Sequence, residues 1–159
     1  TITDRVKAIG SAFEEAGMHC IVSDNIMGVI WDKLLVNVAT GAVCGITHLP
    51  YGDMYQEDKL VATAVAAVQE GMDVAAKAGV KLTYSDPMDV LELARAGLPY
   101  DFKPSILQSL EKHRPTEVGV INGAVVAQGA KHGVATPVNE TLVACVTGIE
   151  RYIREYINK

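Results

Sequence analysis

Two polar residues on a largely apolar stretch carry the first chemical signal. Lys33 and Asn37 stand four apart within NIMGVIWDKLLVNVATGA (25–42), so a helix there would point both the same way. Gly41 continues their row with no side chain at all. An asparagine among Leu35, Val36, Val38 and Ala39 reads as buried, and a buried amide needs partners. A snorkelling lysine above a core asparagine would give the same pattern. Two further candidates, Ser105 and Glu117, sit at predicted helix starts separated by a short turn. Lysine acts as a general acid when it delivers a proton to an oxygen that is gaining negative charge. Asparagine and serine can hold the carboxylate or hydroxyl of a small substrate. A glutamate can position the lysine and accept from a substrate hydroxyl, although a first-turn carboxylate favouring the helix dipole is an equal alternative for Glu117. Together the four fit reduction of a carbonyl in which hydride arrives from elsewhere.

Other chemistries find less support. Cys44 and His48 could share a helical face, but Gly45 and Pro50 disturb that turn and no further zinc ligand lies near. His19, His113 and His132 are scattered, so no metal site is expected. Ser105 lies in KPSIL without the glycine-flanked elbow that presents a nucleophilic hydroxyl. The sequence contains no G-x-G-x-x-G for a dinucleotide.

Composition narrows the class. The 159 residues suffice for about one domain, 49% hydrophobic and 21% charged. Aromatics make up only 6% while alanine and valine abound, which favours helices packed closely through small side chains. A net charge of −5 without a basic block disfavours nucleic acid and anionic membrane as partners. No uninterrupted apolar run reaches the ~18–20 residues of a membrane span. Three scattered cysteines, Cys20, Cys44 and Cys145, do not make a disulfide framework, so a reducing cytoplasm is expected. The chain opens Thr-Ile-Thr-Asp without a methionine, as a piece of something longer would.

The elements that must position these residues are mostly helical. Ile2, Val6, Ile9 and Phe13 predict a helix ending at Gly17, and Met18–Val22 reads as a strand or extended link. Residues 1–23 thus look like the tail of an α/β unit. Asp24 is the expected N-cap of a helix over 25–42 that ends near Gly41–Gly45, and HLPYGDMY (48–55) reads as a loop. A long helix follows over 57–78, capped by Gly79. Another starts at Ser85-Asp86-Pro87 and runs to about Ala96. Pro104 opens a short helix that Pro115 ends. Thr116 caps a helix from Glu117 to about His132, closed by Gly133, and Thr136-Pro137 starts a last one running to the C-terminus. Gly119 and Gly123 are expected on one face, where another helix could approach closely. The expectation is six helices after the α/β remnant.

The pattern W-x-K-L-x-V-N (Trp31, Lys33, Leu34, Val36, Asn37), followed by Pro50-Tyr51-Gly52, resembles the C-terminal domain of ketopantoate reductases (2-dehydropantoate 2-reductases). A second block agrees: Ser105-Ile106-Leu107-Gln108, Arg114-Pro115-Thr116-Glu117, Ile121-Asn122-Gly123, then Gly133 and Thr136-Pro137. The resemblance implies an all-α fold of the 6-phosphogluconate dehydrogenase C-terminal-like type. Several dehydrogenases of hydroxy acids share that domain, which commonly pairs two subunits, so a homodimer through it is implied. Residues 1–23 would be the tail of an N-terminal Rossmann domain, and 24–159 the helical substrate-binding and catalytic domain. Lys33 would protonate the reduced carbonyl oxygen of a small 2-oxo acid. Asn37 and Ser105 would bind substrate, and Glu117 would hydrogen-bond the substrate hydroxyl and help to orient Lys33. NADPH would sit mainly on the other domain. The chain departs from the family pattern at Gly41, Phe102 and Ser109, where asparagine, asparagine and an acid are common. Those departures point to a substrate other than ketopantoate itself. A helical dimerisation or interaction module, with Lys33 and Glu117 kept only as a salt bridge, is the contrasting expectation.

With no phosphate-cradling glycine turn in these residues, the chain by itself should not bind NADPH appreciably. Calorimetric titration checks this, and micromolar affinity would overturn the proposed division of labour.

Overall fold

Thr3 starts the first helix, α1 (Asp4–Glu15), by accepting a hydrogen bond from the Val6 N–H at 3.4 Å, and Gly17 follows its end with φ 77°. The computed structural model describes residues 1–158, and among them the fold is all-α, as expected. Met18–Val22 forms no strand: of the two forms expected for it, the extended link is the one adopted. A strand needs a second strand beside it, and among the described residues there is none: the Met18 and Cys20 N–H groups donate instead to the Phe13 carbonyl and the Glu14 carboxylate of α1. The link folds back on α1, where a Cβ on Gly10 would come 2.6 Å from Val22 Cγ2. Only Gly10 of α1 is buried, while Val6, Ile9 and Phe13 remain exposed, so α1 stands outside the main core. A Rossmann remnant is therefore not evident in these residues.

The central element is α2 (Ile26–Thr47), which packs on α4 (Asp58–Lys77), α5 (Pro87–Arg95), α6 (Ser105–Glu111) and α8 (Pro137–Tyr152). Its N-cap is Asn25 rather than Asp24, because the Asn25 carboxamide accepts from the Gly28 N–H at 3.3 Å while donating to the Lys81 carbonyl at 2.8 Å. It also runs past the predicted end to Thr47, where His48 stops it in the left-handed conformation, φ 57°. Every residue from Val38 to Gly45 is buried, which requires small side chains around the whole circumference. A Cβ on Gly45 would lie 2.7 Å from Ile106 Cγ2, so that glycine lets α6 close on α2. By length and composition α2 is apolar enough to cross a membrane, a property that its interrupting Asp32 and Lys33 hid in the sequence. Here 56% of its most apolar window is buried against the other helices.

Several boundaries differ from expectation. The segment read as a loop contains a one-turn helix, α3 (Tyr51–Met54). The predicted helix over 117–132 is broken into a 3-10 turn, Val118–Val120, and α7 (Asn122–His132), because Ile121 adopts φ −102°, ψ −91°. Gly119 and Gly123 consequently do not mark a helix crossing. A Cβ on Gly119 would meet nothing within 4 Å, and one on Gly123 would meet only the Val118 carbonyl of its own turn, 3.3 Å away. The last helix, α8, widens into a π-helical turn at Ile153–Ile157. One helix thus becomes two pieces, and one extra turn appears at Tyr51.

Carboxylates fix the packing of the last helix. Glu70 of α4 accepts from the Val138 and Asn139 N–H groups (2.8 and 3.0 Å) and from the Asn139 carboxamide (2.7 Å), capping α8 from another element. Asn139, fully buried, also donates to the Ala67 carbonyl at 2.9 Å and accepts from Asn122 Nδ2 at 3.0 Å. Glu70→Ala leaves three donors without that acceptor and should destabilise the fold by about 1–3 kcal/mol in denaturant unfolding. An unchanged midpoint would show that solvent replaces the carboxylate.

Burial also pushes the Cys44 thiol up from 9.0 to about 12. The folded chain then keeps that proton where the unfolded chain loses it. Cys44 contributes full stability below about pH 9, and the contribution is lost as pH rises toward 12. At pH 8 a thiol reagent should label exposed Cys145, and label Cys44 only on unfolding. Mass spectrometry of labelled peptides reads this directly, with native labelling of Cys44 as the contrary result.

Candidate active site

Helix α2 presents Lys33 and Asn37 on one row, as their spacing requires, and both are exposed. Asn37 is therefore not the buried amide that its neighbours suggested. The buried face of α2 runs through Trp31, Leu35, Val38 and Ala42, and Asn37 falls outside it. The buried amides are Asn122 and Asn139, of which Asn122 Oδ1 has no hydrogen-bond partner among the described residues. Asn122 was visible in the sequence as an amide within a helix. Its partner was not, because the pairing spans two elements.

Ser105 and Glu117 meet. The Ser105 hydroxyl, in the first turn of α6, donates to Glu117 Oε2 at 3.2 Å. Two local features bring them together. Pro104 precedes α6 in extended conformation, φ −66° and ψ 162°, and sets the direction of its first turn. Thr116 accepts from the Val118 N–H at 3.2 Å while its own N–H donates to Glu150 Oε1 of α8 at 2.6 Å. The carboxylate of Glu150 thus holds the residue next to Glu117 in place.

A cleft of about 330 Å³ opens between α2, α5 and α6, and both Asn37 and Ser105 line it. Tyr51 stands in its wall with the hydroxyl 2.7 Å from Thr40 Oγ1. Burial raises the Tyr51 pKa above its usual 10.0, opposed by the Thr40 hydrogen bond, so the phenol stays protonated. Phe102 packs edge-on against the Tyr51 ring, 5.0 Å between centroids, and its carbonyl accepts from the Tyr51 N–H at 3.0 Å. Gly52 is needed beside it. A Cβ there would sit 2.2 Å from the Tyr100 ring, whose residue accepts the Gly52 N–H at 2.8 Å. Tyr51 stood out in the sequence only as part of the Pro50-Tyr51-Gly52 motif and Thr40 not at all, since only the fold joins two hydroxyls 11 residues apart.

Lys33 lies one turn before Asn37, at the outer end of their row, and makes no ion pair among the described residues. It does not reach Glu117, so the salt bridge expected of an interaction module is not formed. Cys44 is buried and His48 is exposed beyond the helix end, which separates that pair. Chemically, the arrangement offers a hydroxyl and a carboxamide in the cleft, a carboxylate bonded to that hydroxyl but outside the lining, and, also outside it, an ammonium on the same helix row as the carboxamide. Such groups can hold a small oxyacid and hand it a proton.

Comparison with known proteins identifies the family and the fold. The sequence pattern of the family described as "Ketopantoate reductase PanE/ApbA C terminal" matches residues 25–150. The chain is 30% identical over 149 residues to 2-dehydropantoate 2-reductase of Archaeoglobus fulgidus, covering 94% of this chain and 49% of the relative. The PanE/ApbA family ketopantoate reductase from Ralstonia eutropha JMP134 superposes with a TM-score of 0.86 at 29% identity, over 96% of this chain and 51% of that one. D-mandelate dehydrogenase in a ternary structure with NADH and anilino(oxo)acetate gives 0.82 at 28% identity, over 94% and 49%. The chain spans about half the length of the curated relatives it matches. From the Asn25 cap to Glu150, the carboxylate that steadies the Glu117 turn, the sequence and the fold agree: this chain belongs to the ketopantoate reductase family, as its helical C-terminal domain.

Proposed function

We propose that the chain is the substrate-binding and catalytic half of an NADPH-dependent 2-oxo acid reductase. In this reading residues 24–159 form the catalytic domain, and 1–23 are the tail of an N-terminal nucleotide-binding domain. The observation that carries it is the Ser105–Glu117 hydrogen bond beside a cleft that Asn37 also lines. Two residues chosen for their chemistry alone are in contact, and a third shares their cleft.

The donor set suits the proton side of a carbonyl reduction and offers no cradle for a pyrophosphate. The cofactor accordingly belongs mainly to the other domain, and when bound it supplies the hydride. The neighbouring D-mandelate dehydrogenase structure contains NADH, which supports a nicotinamide cofactor; the preference for NADPH comes from the family resemblance. The substrate carboxylate would take a hydrogen bond from the Asn37 carboxamide, and one from the Ser105 hydroxyl once that single proton turns away from Glu117. As charge develops on the carbonyl oxygen, Lys33 Nζ gives it a proton, and the ammonium is restored from solvent after product leaves. Glu117 accepts from the hydroxyl so formed. A homodimer through the helical domain and a cytoplasmic setting complete the proposal; sedimentation of the full-length protein reads the first.

Lys33→Ala in the full-length protein should lower kcat by about 10²–10⁴-fold, the usual scale for loss of a general acid. Cofactor affinity should hardly change. Lys33→Arg should not restore the rate, because guanidinium retains its proton and differs in shape. Steady-state kinetics with NADPH oxidation as signal decides the matter. Near-parental kcat in Lys33→Ala would return Lys33 to the role of a snorkelling surface residue.

A further inference from the structure

The polar groups of the cleft are unevenly distributed. Asn37 on α2, with Ser105 and Gln108 on α6, brings the hydrogen-bonding atoms to it. The Gln108 amide N–H is already engaged with the Lys103 carbonyl at 2.8 Å. The side built by the end of α5 and the segment after it consists of Ala94, Leu98 and Phe102, to which Val36 and Ile121 add further apolar surface. Gly41, the next position on the Lys33–Asn37 row, offers no group at all. The two hydroxyls within this wall, of Thr40 and Tyr51, are buried and hydrogen-bonded to each other.

This wall is held firmly. Backbone hydrogen bonds from Tyr51 and Gly52 clamp the carbonyls of Phe102 and Tyr100, and the Tyr100 hydroxyl donates to Asp53 Oδ1 at 2.7 Å. Phe102 is further seated against the Tyr51 ring. A substrate group entering there meets a fixed apolar surface. A hydroxyl placed against it would surrender its hydrogen bonds to water without finding replacements.

Resting on the reductase reading above, we propose that this site selects 2-oxo acids whose side chain is a branched alkyl or aryl group without a hydroxyl, with Phe102 as the residue that sets the preference. The carboxylate stays with Asn37 and Ser105 and the carbonyl oxygen with Lys33, while the side chain lies against Ala94, Leu98 and Phe102.

A pair of substrates differing by one hydroxyl tests this in the full-length protein: 4-hydroxy-3,3-dimethyl-2-oxobutanoate and 3,3-dimethyl-2-oxobutanoate, with phenylglyoxylate as the aryl case. The unhydroxylated acids should show kcat/KM higher by about tenfold or more, the scale on which pockets separate such analogues. Phe102→Asn should erase or reverse that ratio, while Phe102→Leu should keep it. A hydroxylated acid used as well as its deoxy counterpart by the parent protein, or a ratio untouched in folded Phe102→Asn, overturns the proposal and leaves the reductase reading standing. Reduction of none of the three acids removes the reductase reading and this inference with it.

Discussion

Complete burial of α2 from Val38 to Gly45 is the constraint on which the remaining structure depends. A helix surrounded on all sides can hold neighbours at short range only if its own side chains are small. Ala39, Thr40, Gly41, Ala42, Cys44 and Gly45 meet that requirement, and α4, α5, α6 and α8 close around them. Most of the tight contacts in the core follow. Leu35 takes the space beside Gly71 of α4, where a Cβ would stand 2.5 Å from its Cδ2. Ile106 of α6 takes the space beside Gly41 and Gly45. Because α6 is drawn in by these glycines, its first residue, Ser105, arrives at the cleft beside α2. The small-residue stripe in the core and the hydroxyl at the site are therefore one packing decision.

A second layer of control is polar. Helix α8 carries no functional side chain named here, yet it disciplines the site from behind. Glu70 fixes its start, and Glu150 near its end reaches the Thr116 N–H. Thr116 in turn stops the chain in a 3-10 turn rather than a helix, which leaves the Glu117 side chain beside Ser105. Two half-buried carboxylates thus connect overall stability to the position of a third, Glu117, beside Ser105.

Much of this was legible in the sequence, and the failures have physical causes. Helix ends at Gly17, Gly79, Gly97 and Gly133 were readable because a left-handed backbone favours glycine, and all four adopt φ between 70° and 77°. Proline starts at Pro87 and Pro137 were readable for the complementary reason. The break at Ile121 was not: Val118, Val120 and Ile121 continue an acceptable helical pattern, and only the tertiary hydrogen bond from Thr116 to Glu150 favours the tighter turn. The burial of Asn37 was misjudged because neighbours in sequence are not neighbours in space on a helix, and the exposed row is one residue wide. Ser105 and Glu117 were identifiable by type and position. The Thr40–Tyr51 pair and the apolar wall at Phe102 were not, since three separate elements build them.

Exposure of the four candidate residues has a consequence for how the reaction proposed here would work. Lys33, Asn37, Ser105 and Glu117 are all open to solvent in this chain, and hydrogen bonds between exposed groups and substrate compete with water. A general acid is most effective where water is excluded and the developing charge sees few other donors. The helical domain builds only one wall of such a place. Relatives about twice as long as this chain have the polypeptide for a second wall. In the proposed reading, docking of that second domain carries the cofactor to the cleft and removes water from Lys33 in a single movement. The lysine can then remain a fully solvated cation, at no cost of burial, until substrate and cofactor are both present. In that reading its proton becomes catalytically potent only in the closed state.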